Sequence, residues 1–375
     1  MSTTRRVLAR RDHSGMWSTR ARTRAHGLVV VAALVLGGVG LAACGDDDDS
    51  GAPVTLRLLT HDSFAVSDDV LAAFTEDTGI EVELIPGGDA GTVVNQAILA
   101  KGNPQADVLF GIDSTLLTRT LDEELFVPYE AADLDQVDER FLLDDEHRVT
   151  PVDYGDVCLN YDKAYFAEHP DLPVPDSLED LVDAAYEGLL VVENPATSSP
   201  GLAFLLATVD HFGDDGWQGW WEQLRDNGVE VVDGWEAAYN QSFSGGGTSQ
   251  GTKPLVVSYA SSPPVEVVYA DPPVTEAPTG VIDASCYRQV EAAGILRGTA
   301  HEEEAQQLVD FLLSERFQAD VPLQMFVFPV REGVELPEVF VEHAATPTEP
   351  LELAPDVIAE HREAWIDEWT DLVLR

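Results

Sequence analysis

An α/β fold in two lobes is what this sequence predicts, and three observations carry that prediction. Short apolar runs alternate with amphipathic helical patterns along most of the chain, the signature of parallel strands covered by helices. The length, 375 residues, suits two domains of ordinary size. Two long, regular segments, "TPVDYGDVCLNYD" (150–162) and "IDASCYRQVEAAGIL" (282–296), read as strands crossing between lobes. The expected architecture is two parallel or mixed sheets flanked by helices, hinged on those two crossing strands.

The elements follow in order. "VTLRLLT" leads through "HDSF" into a helix with Val70, Leu71 and Phe74 on one face. "EVELIP" leads through "GGDAGT" into "VVNQAILAKG", and "ADVLFG" through "IDST" into "LLTRTLDEELF". After the first crossing, "LLVVEN" runs through "PATSSPG" into "LAFLLATVDHF", with Ser199 read as N-cap and Pro200 as first helical residue. "PLVVSY" leads through "ASSPP" into "VEVVYA". The "SFSGGGTSQGTKP" loop (242–254) is Gly/Ser-rich, and the tail is an amphipathic helix with Ile358, Trp365, Ile366 and Trp369 near one face. The expected division is lobe 1 from 54–153 plus 283–330 and lobe 2 from 154–282 plus 331–375. Ligands of open α/β sheets sit beyond the carboxyl ends of the strands, where the polar segments lie.

The first 43 residues carry seven Arg and one acid, then an apolar run from Leu28 to Ala43. That is the plan of a secretory signal. "LAAC" (41–44) resembles a bacterial lipobox, in which Cys44 becomes the lipidated first residue and holds the chain to the outer face of the cell membrane. Residues 44–53 read as a flexible acidic tether. Of 21 basic residues, removing the seven leaves 14. Of 68 acids, removing one leaves 67, so the mature chain carries a net charge of −53. Nucleic acid and anionic membrane surfaces are excluded as partners, which leaves the lipid as the only membrane contact. Cys158 and Cys286 remain for an oxidising compartment, as a disulfide or as two buried thiols.

Enzyme motifs fail on context. Gly247 to Gly251 fits G-x-S-x-G but lies inside a Gly/Ser loop, without the strand and helix that pattern needs. "HEEEA" at His301 lacks the second His of a zincin. No Walker loop and no dinucleotide fingerprint occurs, and no metal or cofactor is expected. Binding features cohere better. Tyr154, Trp235, Tyr239 and Tyr259 sit in polar surroundings at strand ends or turns, near Asp62, Asp89, Asp113, Asp153 and Asp233. Thr197, Ser198, Ser199, Ser261 and Ser262 supply hydroxyls there, and those segments contain no Lys or Arg. Aromatic faces take flat heterocycles and cations, and a helix start takes an anion or hydroxyl. The expected ligand is a flat cation with a hydroxyl or phosphate at one end.

From about Val54 to its end, the chain resembles the thiamine-binding lipoproteins or periplasmic proteins of bacterial ABC importers. The matching blocks include "HDSF", "ADVLFGIDSTLLTRTL", "PVDYGDVCLNYDK", "NPATSSPGLAFLLAT", "GWEAAYNQSFS", "PLVVSYASSPP" and "FQADVPLQMFVFPV". The resemblance implies a type II periplasmic-binding-protein-like fold. It further implies a monomer without catalysis, whose closed, thiamine-loaded form docks on a membrane permease with its ATPase. It also implies thiamine or its phosphates held between aromatic rings, with the phosphate near Thr197, Ser198, Ser199 and Gly201, and with Trp235, Tyr259 and Tyr239 as contacts. His61, Val265 and Phe326 stand where some members have Tyr, Tyr and Trp. Two alternatives stay open. One is a receptor of the same shape for a polyamine or ferric ion, although no Tyr-Tyr pair occurs. The other is a secreted thiamine-processing enzyme, although Cys158 lacks a basic neighbour that would activate it.

Overall fold

The computed structural model describes residues 53–247 and 249–375; the signal segment, Cys44 and nearly all of the tether lie outside the described residues. In chain order the first elements are β1 (Thr55–Thr60), α1 (Asp68–Thr78), β2 (Glu81–Pro86), α2 (Ala90–Leu99), β3 (Val108–Asp113), α3 (Leu117–Asp122), β4 (Phe126–Val127) and β5 (Thr150–Asp162). Next come α4 (Lys163–Glu168), β6 (Leu190–Glu193), α5 (Ser199–Phe212), α6 (Trp217–Asp226), β7 (Glu230–Val232), the single turn α7 (Trp235–Ala237), β8 (Leu255–Tyr259) and α8 (Pro263–Val268). The chain finishes with β9 (Thr279–Leu296), α9 (Glu302–Leu312), α10 (Glu315–Gln324), β10 (Phe328–Pro329), α11 (Glu338–His343) and α12 (Pro355–Val373). Among the described residues no helix is long and apolar enough to cross a membrane.

The strands form one continuous sheet in the order β2-β1-β3-β9-β5-β8-β6-β7. The β1/β2, β1/β3, β6/β8 and β6/β7 pairs are parallel, while β3/β9, β9/β5 and β5/β8 are antiparallel. Two parallel halves thus share an antiparallel centre made of the two crossing segments. Sequence pattern suggested two separate sheets. They are joined because β5 and β9, 13 and 18 residues long, are long enough to pair with each other and with both halves.

Each half has its own core. Phe74, Phe110, Leu308 and Phe317 are buried between α1, α9, α10 and the β1/β3/β9 strands. Phe204, Trp217, Trp221 and Trp369 are buried where α5, α6 and α12 cover β6 and β8, with Trp221 and Trp369 edge to face at 5.4 Å. The apolar face expected of the tail helix is this one. At the centre, Arg288 makes a two-pronged ion pair with buried Asp156 across β5/β9, both contacts at 2.9 Å. Cys158 and Cys286 are joined as a disulfide on the same two strands.

The start of α5 differs from expectation by one residue. Ser198, extended and buried, is the N-cap, and its hydroxyl accepts from the Gly201 amide at 3.4 Å. Ser199 is the first helical residue, and its hydroxyl serves tertiary contacts instead. Gly201 is packed against β6, where a Cβ would lie 2.6 Å from the Glu193 carbonyl oxygen. A methyl group there forces helix and strand apart. Gly219, inside α6, has open space around it, so Ala there gains only helix propensity. Gly201→Ala is therefore expected to lower the urea midpoint and Gly219→Ala to raise it by about 1 kcal/mol of stability. Equal shifts for the two variants would contradict this packing.

Candidate functional site

A cavity of about 460 Å³ opens at the carboxyl ends of β1, β2, β6, β7 and β8, within the size range of small-molecule sites. One wall comes from the turn after β1, the N-terminus of α2 and the segment before β10. The other comes from the starts of α5 and α7, the end of β8, and α8. The aromatic rings of Phe64, Trp235, Tyr239, Tyr259, Tyr269 and Phe326 line it, with the carboxyl groups of Asp62, Asp89, Glu236, Glu266, Asp271 and Glu291. No Lys or Arg is among its described lining residues.

The rings are fixed by hydrogen bonds and stacking. Trp235 Nε1 donates to Ser258 Oγ at 2.9 Å, and the indole stacks on Tyr239 at 5.1 Å and 15°. The Tyr259 hydroxyl donates to Gln289 Oε1 at 3.2 Å. Phe326 holds a left-handed backbone, φ 55°, a conformation uncommon outside glycine, and its ring meets Tyr269 across the mouth at 6.0 Å.

Asp89 ties the two walls together. It caps α2 by accepting from the Ala90 amide at 2.7 Å. It also accepts from the Ser199 amide at 2.9 Å, the Ser198 hydroxyl at 3.0 Å and the Trp235 amide at 3.0 Å. The anion at the start of α5 is thus the chain's own carboxylate. The Ser199 hydroxyl donates to Asp113 and accepts from Gln289 Nε2 at 2.7 Å.

Strand register sets three carboxyl groups side by side. Glu291 on β9 pairs with Asp113 on β3 and with Asp153 on β5. Burial, and then the Glu291 charge, push Asp153 well above the usual carboxylate range. Burial likewise raises Asp113 and Asp89, against the hydrogen bonds that favour their charged forms. Glu193, 1% exposed and with both carboxyl oxygens unpartnered, is raised well above its ordinary value by burial and by Asp89.

Of the residues singled out from sequence, His61, Asp62, Asp89, Ser199, Trp235, Tyr239, Tyr259, Phe326 and Val265 line this cavity. Five do not. The Thr197 hydroxyl donates to the Asp233 carbonyl at 2.7 Å, Ser198 is spent on Asp89 and the helix cap, and Gly201 is pressed on β6. Ser261 is wholly buried behind the wall. Tyr154 is sandwiched between Phe141 and Phe328, with ring centres 4.4 and 5.3 Å away, in the core of the first half. Sequence reading missed Glu236, Glu266, Tyr269 and Glu291. The spacing of Gln289 and Glu291, two apart on a crossing strand, was the available signal, since it places both on one face. Ser249 of the Gly/Ser loop accepts from the Gly251 amide at 2.9 Å, a turn contact.

This architecture, two α/β halves with a ligand-sized cleft at the strand ends, defines a solute receptor. The sequence pattern of "Bacterial extracellular solute-binding protein" matches residues 103–350, and the chain belongs to that family. It is 32% identical over 331 residues to the thiamine-binding periplasmic protein of Escherichia coli strain K12, covering 85% of this chain and 94% of that one. It is 28% identical over 345 residues to the protein of the same name from Brucella suis biovar 1, covering 88% and 94%. A solved periplasmic thiamin binding protein superposes with a TM-score of 0.76 at 30% identity, over 90% of this chain and 100% of that one.

A carboxyl whose pKa is higher in the folded state contributes stability that is complete below the unfolded value, about 4, and is lost as pH rises through the folded value. Asp89, Asp113, Asp153 and Glu193 all shift in that direction. The ligand-free chain is expected to melt higher at pH 5 than at pH 8, and Glu193→Gln to raise the pH 8 value. A melting temperature that falls on acidification to pH 5 would mean these groups are not held in the arrangement described.

Proposed function

We propose that this chain is a lipid-anchored extracytoplasmic receptor that captures thiamine between its two lobes and delivers it to an ABC permease. The observation that carries the reading is the cavity wall: aromatic rings and six carboxyl groups, with no Lys or Arg among its described lining residues. Such a wall suits a flat cationic heterocycle, whose ring faces aromatics and whose charge faces acids. The name shared by the relatives above supports thiamine within that class.

The receptor performs no chemistry. The lobes are 54–153 plus 283–330 and 154–282 plus 331–375, and they close by rotation about β5 and β9, so that the permease meets a different shape when the vitamin is inside. The lipid on Cys44 keeps the monomeric receptor close to the permease. We extend the proposal to the phosphate esters, whose phosphate would take over the Ser198 and Ser199 donors that Asp89 holds here.

Other occupants fit less well. A polyamine would find cation–π contacts and carboxyl partners here, but it has no flat ring to stack on the aromatic faces. For ferric ion, among the described residues no three His, Cys, Asp or Glu converge in a metal-holding group. A thiamine-cleaving enzyme would need an activated thiolate, and Cys158 is buried and disulfide-bonded.

The test is calorimetry on the mature chain with thiamine, its mono- and diphosphate, spermidine and ferric citrate. Saturable 1:1 binding of thiamine with a change in Trp fluorescence is expected, and thiamine recovered intact after incubation. Trp235→Ala should weaken binding at least tenfold, about 1.4 kcal/mol. Unchanged affinity in that variant would remove the indole from the site, and preferential binding of spermidine or iron would replace the reading.

A further inference from the structure

Among the described residues, His61 is the one imidazole in the cavity wall. It follows β1, and its ring leans on Phe110 of β3 at 5.6 Å. The strand makes room for it at Gly111, φ +102°, where a Cβ would come within 2.8 Å of His61 Cδ2. A side chain there would push the imidazole out of its seat, so backbone and ring are fitted to each other. The side chain is 14% exposed, and its Nε2 lies 3.3 Å from Glu291 Oε1. That nitrogen is shielded from solvent and makes no aligned hydrogen bond, so its tie to the protein is the charge of Glu291 alone, which a competing cation can take over.

The groups facing it are nearly all acidic. Glu291 reaches it from β9, Asp89 from the cap of α2 and Asp62 from its own turn. Behind Glu291 stand Asp153 on β5 and Asp113 on β3. Tyr259 on β8 feels the same carboxyl groups and stays a neutral phenol. A site so rich in carboxyl groups and without Lys or Arg needs a positive charge near Glu291. In the empty cavity the protonated imidazole can supply it.

We propose that the cavity takes up its cationic ligand in exchange for a proton, and that His61 is the group that gives it up. The inference rests on the thiamine reading and adds to it a residue that selects for positive charge and links capture to pH. A ligand cation seated near Glu291 repels imidazolium and replaces it as the carboxylate's partner. The proton leaves to solvent, and the neutral imidazole ring no longer repels the ligand's charge. Burial alone would favour the neutral ring, but Glu291 and then Asp89 and Asp62 outweigh it, so the His61 pKa is raised in the empty site. Cation binding lowers it. Affinity therefore rises with pH between the bound and empty values and levels off above the empty one, with a slope of up to about tenfold per pH unit.

The experiment is the thiamine dissociation constant of the mature chain from pH 5.5 to 8.5, measured for the natural chain and for His61→Gln. Calorimetry of the natural chain in two buffers of different ionisation heat counts the protons released. The expected result is a five- to tenfold tightening per pH unit over part of the range, with up to one proton released, and a slope close to zero in His61→Gln. Tight binding with no pH slope, or the same slope in both proteins, overturns the role of His61 and leaves the thiamine reading standing. No thiamine binding at any pH overturns both. If His61→Gln does not fold, the proton count on the natural chain decides, and a count of zero throughout the range overturns the proposal.

Discussion

A carboxyl group taken out of water must find donors, a proton or a cation, and the centre of this molecule is organised by that requirement. Asp156 meets it with Arg288 across the central strands. Asp89 meets it with amides and a hydroxyl gathered from the opposite wall. Asp153 and Glu193 have at least one buried oxygen without a partner, and for them the proton is the remaining solution. Those that face the cavity, above all Glu291, are left open to a positive ligand. The same constraint accounts for a helix start that looks like an anion site in an extremely acidic chain: its first anion is internal.

The long middle strands decide how the two halves communicate. The β3 strand of one half and the β8 strand of the other pair only with their own half and with β9 or β5. Relative motion of the parallel halves therefore has to be taken up along two strands that are also tied by a disulfide and by the Asp156–Arg288 pair. Asp89 bridges the two walls of the cavity through Ser198, Ser199 and Trp235.

Much of the fold was legible because it depends on local pattern. Apolar runs in "VLFGID" or "LVVSY", followed by small polar residues and a helical period, require little tertiary information, and the two crossing strands stood out by length and regularity. The residue types of the site were legible too, as aromatics and acids at strand ends. The errors arose where a tertiary partner decides. Ser198 and the Ser199 amide are visible donors, but Asp89, more than a hundred residues away, is the acceptor that claims them. Tyr154 has acidic neighbours that suggest a place in the cleft, yet its partly buried ring is stacked between Phe141 and Phe328. Glu291 is one of several polar residues on β9, and only cross-strand register sets it between Asp113 and Asp153.

The sheet has two free margins, and both are poor templates for another copy. One is β2, whose Glu81 and Glu83 project to solvent and whose last residue is Pro86; the other is β7, three residues long. A second strand arriving at β2 would set its backbone beside like charges and a position that offers no amide, and one arriving at β7 would find few ladder bonds to make. The molecule can thus be crowded with its own kind without strand-to-strand polymerisation, while the cavity at the strand ends stays available to a small guest.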